Sequence, residues 1–424
     1  MPVAEDTQVF TAKVATLANI FKPGAPTDDQ RLFRGRRSQL VRLLGVTGAP
    51  GQHAIIFGER GVGKTSLSYM VRDAFDGQAP DATVCVRLAC SADDDFSSLW
   101  QKLHGRLTLE LEKSSKDGAR QLVGETLDEA LLDRVEDILL DAPTPETVGR
   151  CLSLIADRVR LLVIVDEFDR MNVFSEGAKF ADLIKQISDD IVPCTLILVG
   201  VADNVSDLIA GHASIDRCLI PVPMPRMTHA ELNEIVQEGF SAYGERSGSH
   251  LAVTEEAASA IASLSQGFPY FTHLLASAVG REAISASREE IEFPDVFDAL
   301  MVAKDEAEPS IREAYYHATV AARSDATFEK TLVACAMTGP DRMGYFTATD
   351  VRAPLSRILG VPRKNSDFNS HLKRFSTGQP MVLDVKTVRN TPRYRFSNPL
   401  MKPYALLVGL SNGILPRDML RKIE

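Results

Sequence analysis

The chain has 424 residues, of which 45% are apolar and 25% charged, and a formal net charge of −10. That length is too great for one hydrophobic core and predicts two to four domains of ordinary globular composition. No apolar run approaches the ~18 residues of a membrane span, and Glu5 and Asp6 stand where a basic leader would begin, so the expectation is a cytoplasmic protein without a membrane partner.

The six cysteines are scattered without a C-x-x-C pair and the eight histidines lack ligand spacing. They read as core thiols in a reducing compartment and exclude a structural metal site. Charge is unevenly spread. Residues 326–424 hold 16 Lys+Arg against 7 Asp+Glu, a net of +9, which leaves −19 for the rest. A basic C-terminal face of this kind suits nucleic acid or an acidic protein.

In chain order, residues 7–20 put Val9, Phe10, Val14, Leu17 and Ile20 at helical spacing before Pro23, Gly24 and Pro26 break the chain. The reading is an N-terminal helix and arm over 1–32, packed on the domain that follows. Ser38 to Leu44 predicts a second helix. Ala54-Ile55-Ile56-Phe57 then reads as a strand, Gly58-Glu59-Arg60-Gly61-Val62-Gly63-Lys64-Thr65 as G-x-x-x-x-G-K-[ST], and Ser66 to Arg72 as a helix. Strand, loop and helix in that order are the context a phosphate-binding loop requires. Glycines admit close backbone approach, the helix end and backbone N–H groups face an anion, Lys64 reaches β- and γ-phosphates, and the Thr65 hydroxyl suits Mg²⁺. Gly58 through Thr65, with Ser66, are therefore the candidate nucleotide ligands.

Thr83 to Leu88 predicts a strand, and Asp95 to Glu112 a helix whose Phe96, Leu99, Trp100, Leu103 and Leu107 face a core. Residues 113–160 read as helical, interrupted at Ser114-Ser115 and at Pro143 to Pro145. Leu161-Leu162-Val163-Ile164-Val165 is apolar without alternation, as in a strand buried on both faces of a parallel sheet, and ends on Asp166-Glu167. Carboxylates there lie at the carboxyl edge of the sheet, where Asp166 would hold Mg²⁺ and Glu167 would polarise water. Asp169-Arg170 starts a solvated turn or decorates the site. Thr195 to Val199 is a third buried strand, followed by Gly200-Val201-Ala202-Asp203-Asn204.

This order of motifs resembles the AAA+ superfamily. Phe33-Arg34-Gly35-Arg36 is similar to the F-x-G-R box of its origin-recognition-like and STAND branches, which implies that Arg36 lies near the adenine. By the same resemblance Asp203 takes the place of the sensor-1 polar residue and contributes to catalysis. Arg217, in His212-Ala213-Ser214-Ile215-Asp216-Arg217, takes that of an arginine finger. Gly267-Phe268-Pro269 resembles the G-x-P element, which implies that Pro269 lines the nucleotide. One departure is that Tyr270 and Phe271 stand where a sensor-2 arginine is often found. Catalysis would then rest on Glu167, Asp166, Lys64, Arg217 and Asp203, with ATP and Mg²⁺ as cofactors and Thr65 and Asp166 as the metal ligands.

Pro221 to Pro225 ends the core, and Thr228 with Glu231 forms a capping box for the first of several helices, near 229–243, 254–265, 268–284 and 294–305. Further on, Phe328 to Met337, Thr347 to Leu359 and Ser366 to Phe375 read as three helices, and Met381 to Lys386 with Arg393 to Phe396 as a hairpin across Arg389-Asn390. Three helices and a basic hairpin look like a winged helix, a module that meets double-stranded DNA or packs on protein. Lys373, Arg374, Lys386, Arg389 and Arg393 are the candidate DNA contacts.

The fold class expected is thus an α/β P-loop NTPase with a doubly wound parallel sheet (33–222), then a helical lid (223–308) and a C-terminal winged-helix domain (309–424). The expected activity is ATP hydrolysis by a homo-oligomer assembled on ATP binding. Two functions stay open: an AAA+ switch that couples nucleotide state to DNA, and a STAND-type signalling ATPase whose C-terminal module binds a protein effector, for example in phage defence.

Overall fold

The computed structural model describes all residues except 1, 28, 30, 78–82, 115–126, 210–214, 321–326, 340, 342–343 and 418–424. Its contacts divide into two compact units, Pro26–Glu59 with Gly63–Pro225, and Met1–Ala25 with Arg60–Val62 and Arg226–Glu424. The chain opens on helix α1 (Pro2–Ile20), which belongs to the second unit.

The first unit runs α2 (Arg37–Thr47), β1 (His53–Gly58), α3 (Lys64–Gly77), β2 (Thr83–Ala89), α4 (Phe96–Ser114), α5 (Glu129–Leu140), α6 (Pro145–Ala156), β3 (Arg160–Asp166), α7 (Val173–Asp189), β4 (Cys194–Val201) and β5 (Leu219–Pro223). The strands form one parallel sheet in the order β2-β3-β4-β1-β5. β3 and β4 are central, and their unbroken apolar runs are buried on both faces, as the sequence pattern required. Trp100 is fully buried and packs with Phe96 and Phe180, so it is a core residue. All six cysteines are buried free thiols.

β5 is missing from the sequence reading, which took Pro221 to Pro225 as the end of the core. Its two prolines mask it. Among the described residues the strand pairs only with β1, with Pro221 opposite Ile55 and Pro223 opposite Phe57, and an edge strand tolerates residues that cannot donate to a second neighbour.

The second unit continues with α8 (His229–Ser247), β6 (Ala252–Val253), α9 (Glu255–Ser265), α10 (Pro269–Ser285), β7 (Glu290–Ile291), α11 (Phe293–Asp298), α12 (Leu300–Glu306) and α13 (Pro309–Thr319). The capping box of Thr228 and Glu231 starts α8 as expected. Two points differ from the reading. This stretch is not wholly helical, because β6 and β7 pair in parallel. And α1 packs on α8 and α10 of this unit, where packing on the ATPase core was expected. Phe21, just beyond the helix, meets Phe240 at 4.9 Å between ring centroids, and bare Gly239 and Gly280 make room for Phe21 and Leu17.

The C-terminal part holds α14 (Phe328–Ala336), β8 (Phe346–Thr347), α15 (Ala348–Leu359), α16 (Asn369–Thr377), β9 (Leu383–Val388), β10 (Thr391–Phe396) and α17 (Met401–Ser411). Strand order β8-β10-β9, antiparallel, with three helices before the hairpin, is the arrangement expected of a winged helix. Arg389 and Asn390 form its two-residue turn with φ of 49° and 60°, the left-handed pair that suits the twist of a hairpin. α17 was not anticipated. It is apolar on nearly every face and lies between α14 and α12, so no amphipathic period marks it. Among the described residues no helix is long and apolar enough to cross a membrane.

Candidate functional site

The nucleotide loop leaves the carboxyl end of β1. Gly58 has φ 153°, and a Cβ there would lie 2.4 Å from the Met224 carbonyl oxygen, so only glycine fits. Gly63 has φ 92°, the left-handed geometry that turns successive amides inward ahead of α3. Lys64 is buried, and its Nζ donates to the carbonyls of Gly58 at 3.0 Å and Glu59 at 2.9 Å. The ammonium therefore closes the loop on itself and stands at its mouth. Ser66 Oγ accepts the Thr27 amide at 3.2 Å, which ties the arm to the loop.

Because β1, β3 and β4 are parallel neighbours, their carboxyl ends share one edge. Asp166 ends β3 there with 4% of its side chain exposed. Its Oδ1 accepts the Glu167 amide at 2.8 Å and its Oδ2 the Thr65 hydroxyl at 3.3 Å. A hydroxyl beside a fixed carboxylate is a hard-oxygen pair that suits Mg²⁺, and the glycine cradle suits a polyphosphate. The residues present fit both groups.

Glu167 is exposed and sits at φ 56°, a left-handed conformation that a non-glycine residue adopts at a cost and that recurs at functional sites. Its Oε2 accepts from Arg170 Nη1 at 3.1 Å. Asp203, exposed, follows β4 at the same edge. Asp169, one of a pair that the sequence left between turn and decoration, lies in a 3₁₀ turn and accepts the Val201 amide at 2.7 Å, which binds the tip of β4 to the chain after β3.

Three other sequence candidates are held by contacts of their own. Arg36 is buried and donates from Nη2 to the Pro225 carbonyl at 2.6 Å. Arg217 precedes β5, so it lies at the amino edge of the parallel sheet, opposite the loop. It is 69% exposed, pairs with Asp189, and its carbonyl accepts from Gln52 at 3.2 Å. His212, Ala213 and Ser214, quoted with it, fall outside the described residues. Pro269 belongs to the second unit, where it opens α10 after Gly267 at φ 87°. In the same turn Tyr270 accepts the Glu308 amide at 2.9 Å on its hydroxyl, and Phe271 is fully buried.

One residue escaped the sequence reading. Arg87, from β2, donates Nη2 to Asp166 Oδ2 and Nη1 to the Tyr69 hydroxyl at 2.6 Å, with its guanidinium 4.7 Å from the Tyr69 ring centroid. The available signal was a single cation inside the otherwise apolar run Val84 to Leu88.

Comparison with known proteins accords with this geometry. Residues 49–209 match the family model described as AAA domain. No curated protein matches the sequence. Among solved structures, the Walker-type ATPase PABY2304 of Pyrococcus abyssi is similar at a TM-score of 0.52 and 16% identity, covering 90% of this chain and 98% of that one. The ORC2 protein of Aeropyrum pernix, solved in ADPNP–ADP complexes, gives a TM-score of 0.47 at 15% identity, with 93% and 96% covered. Cdc6p of Pyrobaculum aerophilum gives 0.45 at 14% identity, with 94% and 99% covered. The first of these likenesses shows a shared fold over 90% of this chain. With the nucleotide loop and the Asp-Glu strand end meeting on one sheet edge, residues 49–209 have the form of the AAA domain whose family model they match.

Proposed function

We propose that the chain is an ATP-hydrolysing molecular switch of the origin-recognition-like kind, whose nucleotide state governs DNA engagement by the C-terminal winged helix. The observation that supports this best is the shared edge of β1, β3 and β4, which gathers Lys64, Thr65, Asp166, Glu167 and Asp203. In this reading 33–222 is the ATPase core, 223–308 a lid and 309–424 the DNA module, with Arg36 on the nucleotide.

Backbone amides of Gly58 to Ser66 would cradle the phosphates, and Lys64 would exchange its loop carbonyls for phosphate oxygens. Thr65 and Asp166 would hold Mg²⁺, which when bound neutralises phosphate charge. Glu167 would orient and deprotonate water once released from Arg170, and Asp203 would hold that water from the β4 tip. Arg217 cannot reach the loop of its own sheet, since it lies at the opposite edge. It would act on a neighbour's γ-phosphate, which requires a homo-oligomer.

One observation favours the second reading, a STAND-type ATPase with a protein effector. Arg374 of α16 donates to the carbonyls of His317 at 3.0 Å and Val320 at 2.7 Å and lies 4.3 Å from the Phe328 ring centroid, while Arg393 pairs with Asp341 at 3.0 Å. Two of the five DNA candidates thus serve their own domain, whereas Lys373, Lys386 and Arg389 stay exposed. Fluorescence anisotropy of full-length protein on duplex DNA, with ATP and with ADP, over a salt series tests the choice. Binding that changes with nucleotide and weakens steeply with salt is expected for the DNA switch. Absence of binding at low salt would leave the protein-effector reading.

A further inference from the structure

The metal-ligating oxygen proposed for Mg²⁺ already has a cation on it. Asp166 Oδ1 accepts the Glu167 amide, and Oδ2 is the oxygen beside the Thr65 hydroxyl, the other ligand proposed for the metal. That oxygen receives both Thr65 and Arg87 Nη2. Arg87 is no stray surface arginine. Its side chain is 29% exposed, its other terminal nitrogen is held by Tyr69 Oη at 2.6 Å, and its plane lies over the Tyr69 ring. Tyr69 in turn is fixed by α3, the helix that begins at Lys64. The arginine is thus built into the site from a third strand.

We infer that Arg87 is a resident cation that competes with Mg²⁺ for Asp166 and must leave Oδ2 before the metal is held there. The inference rests on the reading of Asp166 as a metal ligand. Two physical facts support it. Mg²⁺ demands near-ideal octahedral geometry, and a guanidinium hydrogen-bonded to the same carboxylate oxygen occupies that direction. A positive charge beside the site also opposes a second one. Tyr69 supplies the place where Arg87 remains once displaced, because the hydroxyl and ring contacts do not involve Asp166. Without metal, Arg87 keeps a buried carboxylate paired. With metal, it is parked on Tyr69. Arg87 is therefore a positioning residue that sets how much Mg²⁺ the site needs.

The experiment reads nucleotide binding, so it does not depend on turnover. The affinity of full-length protein for a fluorescent, non-hydrolysable ATP analogue is titrated against free Mg²⁺, in wild type, Arg87→Met, Arg87→Lys, Tyr69→Phe and Asp166→Asn. Arg87→Met should lower the Mg²⁺ midpoint by roughly tenfold, within the one to three log units by which a neighbouring charge moves a carboxylate's equilibrium. Arg87→Lys, which retains the charge, should stay closer to wild type. Tyr69→Phe removes the hydroxyl that holds Arg87 once displaced and should raise the midpoint; it serves if Arg87→Met does not fold. A midpoint unchanged or raised in Arg87→Met, or lowered in Tyr69→Phe, would overturn the inference. Asp166→Asn separates the two levels of the argument. If it keeps the wild-type midpoint, Asp166 is not the metal ligand and both readings fall. If it loses the Mg²⁺ response while Arg87→Met matches wild type, only the competition falls.

Discussion

Thr65 and Asp166 are separated by 101 residues, yet the hydroxyl of one donates to the carboxylate of the other at 3.3 Å. Nothing local produces that contact. It follows from β1 and β3 ending at the same edge of a parallel sheet, with β4 between them. Thr65→Ala should therefore reduce the Mg²⁺ dependence of ATP binding while leaving binding in EDTA close to wild type. Titration of a labelled ATP analogue with and without Mg²⁺ checks this, and an equal loss in both conditions would point to a misfolded loop.

Lys64 is the buried cation at the mouth of the loop. Lys64→Ala should weaken ATP binding by at least about tenfold, as expected when a charge-assisted contact is removed. Equilibrium binding of labelled ATP measures it, and unchanged affinity would count against the loop as the phosphate site.

Arg217 faces away from its own nucleotide loop. Arg217→Ala should lower ATPase activity while each subunit still binds ATP. Mixing it with Lys64→Ala protein should restore part of the activity, because each supplies what the other lacks. Activity independent of protein concentration, with no recovery on mixing, would reduce Arg217 to a surface partner of Asp189.

In the C-terminal module, the exposed cations and the engaged ones should separate. Replacing Lys386 and Arg389 together should lower the salt slope of duplex DNA binding by about two units, since each phosphate contact contributes about 0.9. Arg374→Ala should leave that slope unaltered and instead destabilise the module by about 1–2 kcal/mol, through two carbonyl contacts and a cation–ring contact that are partly exposed. DNA binding over a salt series and urea unfolding distinguish the two effects.

Two buried histidines make stability depend on pH. Burial lowers His53, in the first unit, and His273, in the second, from 6.5 to about 4. The unfolded imidazole takes up a proton that the buried one refuses, so stability is complete above pH 6.5 and is lost as pH falls toward 4. Between pH 7 and pH 5 each should account for about 2 kcal/mol. The His53 Nδ1 accepts the Leu196 amide at 3.0 Å, so His53→Gln, which can still accept there, should flatten the pH dependence of urea unfolding.

Much of this molecule is legible in its sequence because the informative residues are consecutive. The nucleotide loop, the apolar strand ending in Asp166-Glu167, and the Arg389-Asn390 hairpin each carry their geometry within a few residues. What was hidden depends on neighbours in space. β5 is disguised by prolines that only an edge strand accepts, and α17 by an apolar surface that only burial on two sides explains. Arg87 looks like a solvated strand residue until β3 brings Asp166 alongside. Arg374 sits at an outward position of its helix, but carbonyls at the C-terminal end of α13 claim it.

Glu167 is the group proposed to activate water, on the sheet edge proposed to bind ATP. The rate of phosphate release by Glu167→Gln at saturating ATP tests this most directly. The variant should bind ATP as wild type does and lose most turnover, because deprotonation of water requires a carboxylate whereas binding does not. Release at the wild-type rate would contradict the assignment.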